Sequence, residues 1–108
     1  MIPIDLIVKI QTLAAKSNRE ICGVIDNTFQ LYSIRNVAKA SNEFILDKLE
    51  YLRLLNKLKS EGKCIICIFH SHLDGDVTPS ECDLKAIERL KTPYLIVSKN
   101  KHHYQGVK

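Results

Sequence analysis

Two histidines near the middle of the chain have the residue type and spacing to bind a metal ion. His70 and His72 follow the apolar run 65–69, which has the length and composition of a strand buried on both faces. Side chains two residues apart on a strand point the same way, so both imidazoles can reach one metal ion. Functional groups of α/β proteins also gather at the carboxyl ends of strands. The sequence therefore predicts a metal site where this strand ends.

The segment after the histidines has the pattern of a helix start. In this interpretation Thr78 is the N-cap, Pro79 takes the first helical position and Glu81 closes a capping box. Ser80 and Asp83 lie three residues apart on one helical face and are then free to serve the site. The alternative is that Ser80 and Asp83 themselves form a capping box. Two imidazoles, a carboxylate and a hydroxyl supply part of the groups that a hydrolytic zinc site needs.

A hydrolytic site also needs a general base, and Glu20 is the best candidate among the glutamates. It opens the apolar segment EICGVI, whereas the other glutamates fit loops, helix surfaces or a cap. In H-E-x-x-H proteases the base lies between the two histidines. No acidic residue lies there in this chain, so the carboxylate must come from elsewhere. On its spacing alone, a glutamate that opens a strand is more often simply solvated.

Five residues together resemble the signature of the JAMM metalloproteases, also called the MPN-plus or JAB/Mov34 family: Glu20, His70, His72, Ser80 and Asp83. The signature is an upstream glutamate, then H-x-H, seven residues, S, two residues and D. The likeness is to short prokaryotic or phage members and covers most of the chain. It implies one zinc ion per chain, held by His70, His72 and Asp83. Leu73 stands where the family frequently has proline.

This ligand set predicts the reaction. Three protein ligands leave the fourth position of a tetrahedral zinc ion open for water, which is the catalytic arrangement. Glu20 would accept the proton of that water, and Ser80 would donate a hydrogen bond to the oxyanion. The resemblance narrows the reaction to peptide or isopeptide bonds. It also implies a protein or peptide partner, such as the C-terminal tail of a ubiquitin-like or sulfur-carrier protein, and we expect narrow residues such as glycine at the cut.

Three other functions compete with this prediction. The resemblance also admits a phage tail-assembly module, and it admits a non-catalytic MPN scaffold for protein–protein interaction. The scaffold ranks below the enzyme because all five motif residues are present. Cytidine deamination would require an H-x-E motif and a cysteine-rich zinc site, which this sequence does not have.

The composition is that of an ordinary globular protein, and we expect a single domain over residues 1–108. The chain is 45% hydrophobic and 26% charged. No apolar stretch approaches the length of a membrane span, and the start MIPID does not resemble a signal peptide, so we expect a cytoplasmic protein. The net charge of +4 is spread along the chain without an aromatic-interleaved basic patch, so we expect no nucleic-acid binding.

The cysteines and the other two histidines are not predicted to bind a metal ion. A zinc ribbon would need a second CxxC, and the single one lies in the central strand, where positions three apart face opposite sides. Adjacent histidines near the C-terminus also face opposite ways, which favours the surface. The residues concerned are Cys22, Cys64 and Cys67, expected in the core, Cys82, expected to be partly exposed, and His102 and His103.

The hydrophobic patterns predict helices over 3–16, 47–60 and 79–90, and strands over 20–25, 29–34, 65–69, 94–98 and 102–107. This order predicts an α/β fold with a mixed sheet flanked by helices, and the resemblance implies a cytidine-deaminase-like arrangement. Gly23 is expected to let another backbone or a substrate approach closely. Two leucine-rich helical stripes are expected to face the sheet: Leu52, Leu55 and Leu58, and Leu84, Ile87 and Leu90.

Overall fold

The computed structural model describes residues 2–107, which form three helices and five strands. The helices are α1 (Ile4–Ala15), α2 (Lys48–Ser60) and α3 (Glu81–Leu90). The strands are β1 (Cys22–Asp26), β2 (Leu31–Ile34), β3 (Ile65–Ser71), β4 (Tyr94–Val97) and β5 (His102–Gln105). Within residues 2–107, no helix is both long and apolar enough to cross a membrane.

The five strands form one mixed sheet in the order β2-β1-β3-β4-β5. Strands β3 and β4 are parallel and connected through α3, whereas the other neighbouring pairs are antiparallel. The pairing of Cys22 with His70 brings the start of β1 beside the end of the central strand β3. The predicted α/β fold with a mixed sheet is confirmed, and β5 lies at a sheet edge.

The apolar run of β3 is buried because helices cover both faces of the sheet. Phe69 faces the side covered by α1, where Ile7 and Ile10 pack against it. Ile68 faces the opposite side, where Ile87 of α3 packs against it. Side chains alternate along a strand, so both faces need apolar residues. His70 follows the orientation of Ile68 and therefore emerges on the α2 and α3 side of the sheet.

Two of the predicted helical stripes are partly wrong. Leu52 and Leu84 are 44% and 42% exposed, whereas Leu58 and Ile87 are buried. In α2 the inward face is completed by Leu54, which packs against the core beneath the helix. Leucine at helical spacing fits more than one face, and only packing against the sheet selects the inner one.

The cysteine prediction is wrong for Cys64. It is exposed because β3 begins one residue later, at Ile65. Cys22 and Cys67 are buried as predicted, and burial raises the pKa of each thiol to about 12, so neither is a reactive thiolate. Cys82 is exposed.

Gly23 lies where the chain has no room for a side chain. A Cβ at this position would overlap the carbonyl oxygen of Tyr32 and the ring of Phe69. The expected close approach of a backbone is therefore confirmed. The neighbours are the paired strand and the core, so Gly23 leaves no space for a substrate.

The turn between β1 and β2 is built around the carboxylate of Asp26. Asp26, at the end of β1, is fully buried, and its Oδ1 accepts hydrogen bonds from the backbone N–H groups of Thr28 and Gln30 and from the Thr28 hydroxyl. Its Oδ2 accepts the hydroxyl of Tyr32 at 2.8 Å. Burial alone would raise the pKa of Asp26, but these donors lower it to about 2.

Candidate metal centre

His70 and His72 lie side by side at the end of β3, as the strand period predicts. Their ring centroids are 4.8 Å apart. His70 is 1% exposed, whereas His72 reaches the surface. The Nδ1 of His72 lies 2.6 Å from the carbonyl oxygen of Asp76, which can only accept a hydrogen bond. Nδ1 of His72 therefore carries a proton, and Nε2 is the nitrogen that can bind a metal ion once its own proton is released.

The predicted start of α3 is wrong. The helix begins at Glu81 with Ser80 as its N-cap, so Thr78 and Pro79 precede it. The Ser80 hydroxyl accepts the N–H of Asp83, and Asp83 Oδ2 accepts the N–H of Ser80 at 2.9 Å. Thr78 instead donates its N–H to the side chain of Asp76 in the loop. Thr78 with Glu81 and Ser80 with Asp83 both have the spacing of a capping box. The structure forms the one between Ser80 and Asp83.

The capping box fixes Asp83 against the two histidines. Asp83 is 5% exposed. Its Oδ1 lies 3.2 Å from Nε2 of His70, and its Oδ2 lies 3.5 Å from Nε2 of His72. The capping and the site are therefore not alternatives, because one carboxylate takes part in both.

Glu20 approaches the same imidazole from the other side. Its Oε1 lies 3.5 Å from Nδ1 of His70, and the residue is 6% exposed. It lies two residues before β1 and not within the strand as predicted. The neighbouring N–H of Ile21 donates to the hydroxyl of Ser71, so the histidine strand also holds the chain beside Glu20. The antiparallel pairing of β1 with β3 thus places an acid 50 residues distant beside His70.

Both ring nitrogens of His70 are buried without a hydrogen-bond partner among the described residues. The nearby carboxylates lie at ion-pair distances but without hydrogen-bond geometry. One ligand atom each from Glu20, His70 and His72 lie within 4.8 Å of one another. A buried imidazole with unmet bonding capacity, among carboxylates, fits a metal ion. The site can therefore bind a metal, and Asp83 and Glu20 both lie within reach of the histidines.

The charges of the site reinforce one another. Burial lowers the pKa of His70, but Asp83 and Glu20 outweigh this effect and raise it. Asp83 is the main cause that raises the pKa of His72 to about 9. Burial raises the pKa of Asp83, yet the two histidines and the Ser80 N–H hold it well below its ordinary value. The site therefore favours an anionic Asp83 facing positive charge, which a metal ion can supply.

Two aromatic rings that the sequence analysis did not single out form the wall behind His70. Phe44 stacks on the imidazole with centroids 4.1 Å apart and planes 20° from parallel. Tyr94 meets it edge-on at 5.5 Å. Neither ring has a local sequence signal for this role, because its position depends on how a loop and β4 pack onto the end of β3.

His102 and His103 lie on the edge strand β5. His102 is exposed, and the Nε2 of His103 lies 3.0 Å from the side-chain oxygen of Gln105. The structure brings Glu20, His70, His72 and Asp83 together, with Ser80 as the cap of the helix that carries Asp83.

A mixed α/β sheet that gathers two imidazoles and two carboxylates at a strand end has the arrangement of a metal-dependent hydrolase. The comparison with known protein families supports this class. Residues 5–106 match the prokaryotic homologs of the JAB domain. The chain belongs to this family, which confirms the predicted JAMM-type resemblance, and the family is metal-dependent.

The chain is also similar to two named relatives. It is 29% identical over 102 residues to a desampylase of Pyrococcus furiosus, which covers 91% of this chain and 73% of that protein. It is 38% identical over 53 residues to a probable TtuB-protein conjugate cleaving protease of Thermus thermophilus, which covers 49% of this chain and 35% of that protein.

The fold is similar to the solution structure of a protein from Desulfitobacterium hafniense. The TM-score is 0.70 at 22% sequence identity, and the likeness covers 93% of this chain and 77% of that one. At this identity the comparison supports the fold alone.

Proposed function

We propose that this protein is a zinc-dependent protease or isopeptidase. Its substrate is the C-terminal tail of a ubiquitin-like or sulfur-carrier protein, joined to its partner by a peptide or isopeptide bond. The observation that carries the proposal is the buried His70, whose unbonded nitrogens face carboxylates on both sides. The substrate class is supported by the two relatives, which are named as a desampylase and a probable conjugate-cleaving protease.

In this proposal His70, His72 and Asp83 hold the zinc ion. The Nε2 atoms of both histidines face the carboxylate of Asp83, whereas Glu20 lies at the opposite nitrogen of His70. In the proposal Glu20 is the carboxylate that does not bind the metal, and its ligand atom, within 4.8 Å of those of the two histidines, is close enough to act on the attacking water. When bound by three side chains, zinc supplies a Lewis acid that lowers the pKa of water from 15.7 to about 7.

Glu20 and Ser80 move and stabilise charge during the reaction. The Glu20 carboxylate accepts the proton of the attacking water and passes it to the leaving amine. Ser80 Oγ accepts the N–H of Asp83, which leaves its own O–H available, and it donates no hydrogen bond within residues 2–107. The hydroxyl is then free to donate to the oxyanion of the cleaved carbonyl.

We expect the substrate to bind mostly through an extended tail with glycine or other small residues at the cut. A cleft of about 180 Å³ reaches His72 from the α1 side of the sheet, and small side chains make up most of its walls: Ala14, Ala15, Ser17, Ser71 and Ser98. Glu20, His70, Ser80 and Asp83 do not line this cleft, so it borders the metal centre only at His72. Its small walls are compatible with a narrow tail at that border.

The substrate proposal is tested with carrier-protein fusions that end in glycine-rich or bulky tails. We expect zinc-loaded protein to cleave the glycine-ended fusions and to lose this activity when a chelator is added. Equal cleavage of both tail types would contradict the tail specificity. Zinc-loaded protein that cleaves no fusion or tail peptide would favour a non-catalytic scaffold.

The Glu20→Gln variant tests the base. We expect it to keep the fold and one zinc per chain while cleavage falls by roughly 100- to 10,000-fold, the usual contribution of a general acid–base group. Elemental analysis and thermal melting serve as controls. Near wild-type cleavage by this variant would show that another group is the base.

A further inference from the structure

The side chain of Asn36 makes four hydrogen bonds, the full number that a carboxamide can make in this setting. Its Nδ2 donates to the carbonyl oxygens of Glu20 and Glu43, each at 2.8 Å. Its Oδ1 accepts the N–H groups of Ala38 and Ile45, each at 3.0 Å. One half-buried side chain thus joins the segment before β1, the segment after β2 and the segment before α2.

The segments that Asn36 joins are those that reach His70. Glu20 carries the carboxylate beside Nδ1 of His70. Phe44 lies between Glu43 and Ile45, and its ring stacks on the imidazole of His70. Asn36 is therefore bonded to the backbone at Glu20 and on both sides of Phe44.

Little other regular structure holds this loop. Between β2 and α2 the described chain has a single isolated bridge, which pairs Asn36 with Leu46. Glu20 lies outside the strand ladder, and its N–H donates to Ser41 of the same loop. Backbone hydrogen bonds also join the N–H of Val37 to Ile45 and the N–H of Asp47 to Arg35 across the loop. The side chain of Asn36 adds the bonds that tie the carbonyl groups of Glu20 and Glu43 together, and so helps to set where these backbones lie relative to His70.

We propose that Asn36 is a positioning residue that holds Glu20 and Phe44 against His70. The inference rests on the proposed function for the role of Glu20 as the base. Asparagine suits this place because the site needs two donors for carbonyl oxygens and two lone pairs for N–H groups in one short side chain. Aspartate has the same shape but no donors, so it keeps the contacts to Ala38 and Ile45 and loses those to Glu20 and Glu43.

The variant Asn36→Asp tests this role. We expect kcat to fall on the order of 100-fold, because a small displacement of a catalytic group is sufficient for such a loss, while KM changes little. Zinc should remain at one per chain, because Asn36 contacts none of the proposed ligands. The matched control is Asn27→Ala, which removes a side-chain bond to the N–H of Cys64 at the opposite end of the sheet and should leave kcat within about twofold. Wild-type kcat in Asn36→Asp would contradict the proposal.

A double variant separates positioning from general destabilisation. If Asn36 acts through Glu20, Glu20→Gln/Asn36→Asp should be about as slow as Glu20→Gln alone. A merely structural role would instead lower the rate again by the same factor. A second loss of about 100-fold in the double variant would therefore overturn the proposal.

Amide hydrogen exchange tests the positioning independently of catalysis. In Asn36→Asp the amides of Glu20 and Val37, which bond within the loop, should exchange faster than in the wild type, and the amide of Cys64 should not change. If the wild type cleaves nothing, the proposed function fails, but the exchange result still decides the positioning role. Unchanged exchange at Glu20 and Val37 would disprove it.

Discussion

Carboxylates are buried at both ends of the paired strands β1 and β3, but the groups that face these carboxylates differ between the two ends. At the turn end, Asp26 is fully buried and both its oxygens accept hydrogen bonds from the adjoining turn and β2. At the histidine end, Asp83 and Glu20 are almost as buried, yet they face a ring whose nitrogens have no hydrogen-bond partner in residues 2–107. The first arrangement is complete in itself, whereas the second is suited to an additional positive charge.

The comparison shows how a structural buried acid differs from a functional one. Hydrogen bonds from the turn lower the pKa of Asp26, so its charge stabilises the fold. Two histidines that repel one another when protonated keep the pKa of Asp83 low. A buried polar atom without a partner costs about 1–3 kcal/mol. The two buried ring nitrogens of His70 are therefore an exception to the usual pairing of buried polar atoms, and this exception marks the histidine end as the candidate functional one.

The largest effect is expected for Asp83→Asn. Asp83→Asn keeps a carbonyl oxygen for the cap but removes the proposed anionic ligand. We expect zinc affinity to fall by more than roughly 100-fold, since even residues that only support a ligand contribute 10- to 100-fold. Zinc content after dialysis and cleavage rate measure this effect, and both should fall together.

The matched control for this exchange is Asp26→Asn. It should leave zinc content and the activity of the folded protein unchanged. Full zinc occupancy in Asp83→Asn, or lost zinc in Asp26→Asn, would contradict the division between the two ends.

The next largest effect is expected for Ser80→Ala. Loss of one oxyanion donor lowers kcat by about 100- to 1000-fold. The same change removes a helix cap and costs about 1 kcal/mol of stability. Ser80→Gly, which keeps much of the capping stability, is the control. If it retains wild-type kcat, the hydroxyl serves only the cap.

The smallest effect concerns the acid stability of the Asp26 turn. The folded-state pKa of about 2 lies below the ordinary 3.8, so the ionised form is stabilised by folding. This contribution is fully present above pH 4 and is lost as the pH falls from about 4 to about 2. It amounts to roughly 2 kcal/mol by linkage. Denaturant unfolding at several pH values should show that the gap between the wild type and Asp26→Asn narrows as the pH falls. A constant gap would contradict this role of Asp26.

The sequence alone was sufficient for features that depend on local periodicity. A two-residue strand period places His70 beside His72, and a helical turn places Ser80 and Asp83 on the same helix start. The length and apolar character of 65–69 predicted a strand covered on both sides, which the structure confirms. The order of the elements predicted the mixed α/β sheet.

Tertiary structure decided the features in which two local patterns compete or in which distant segments meet. Residues 78–81 and residues 80–83 both have a sequence that suits a capping box. The structure forms the box at 80–83, where Asp83 also packs against the histidines. The inner faces of α2 and α3 also depended on what lay beneath them. The place of Glu20 beside His70 follows from strand pairing, and that of Phe44 from a loop bonded by Asn36. No local period encodes these contacts, because each joins residues far apart in the chain through a fold that must form first.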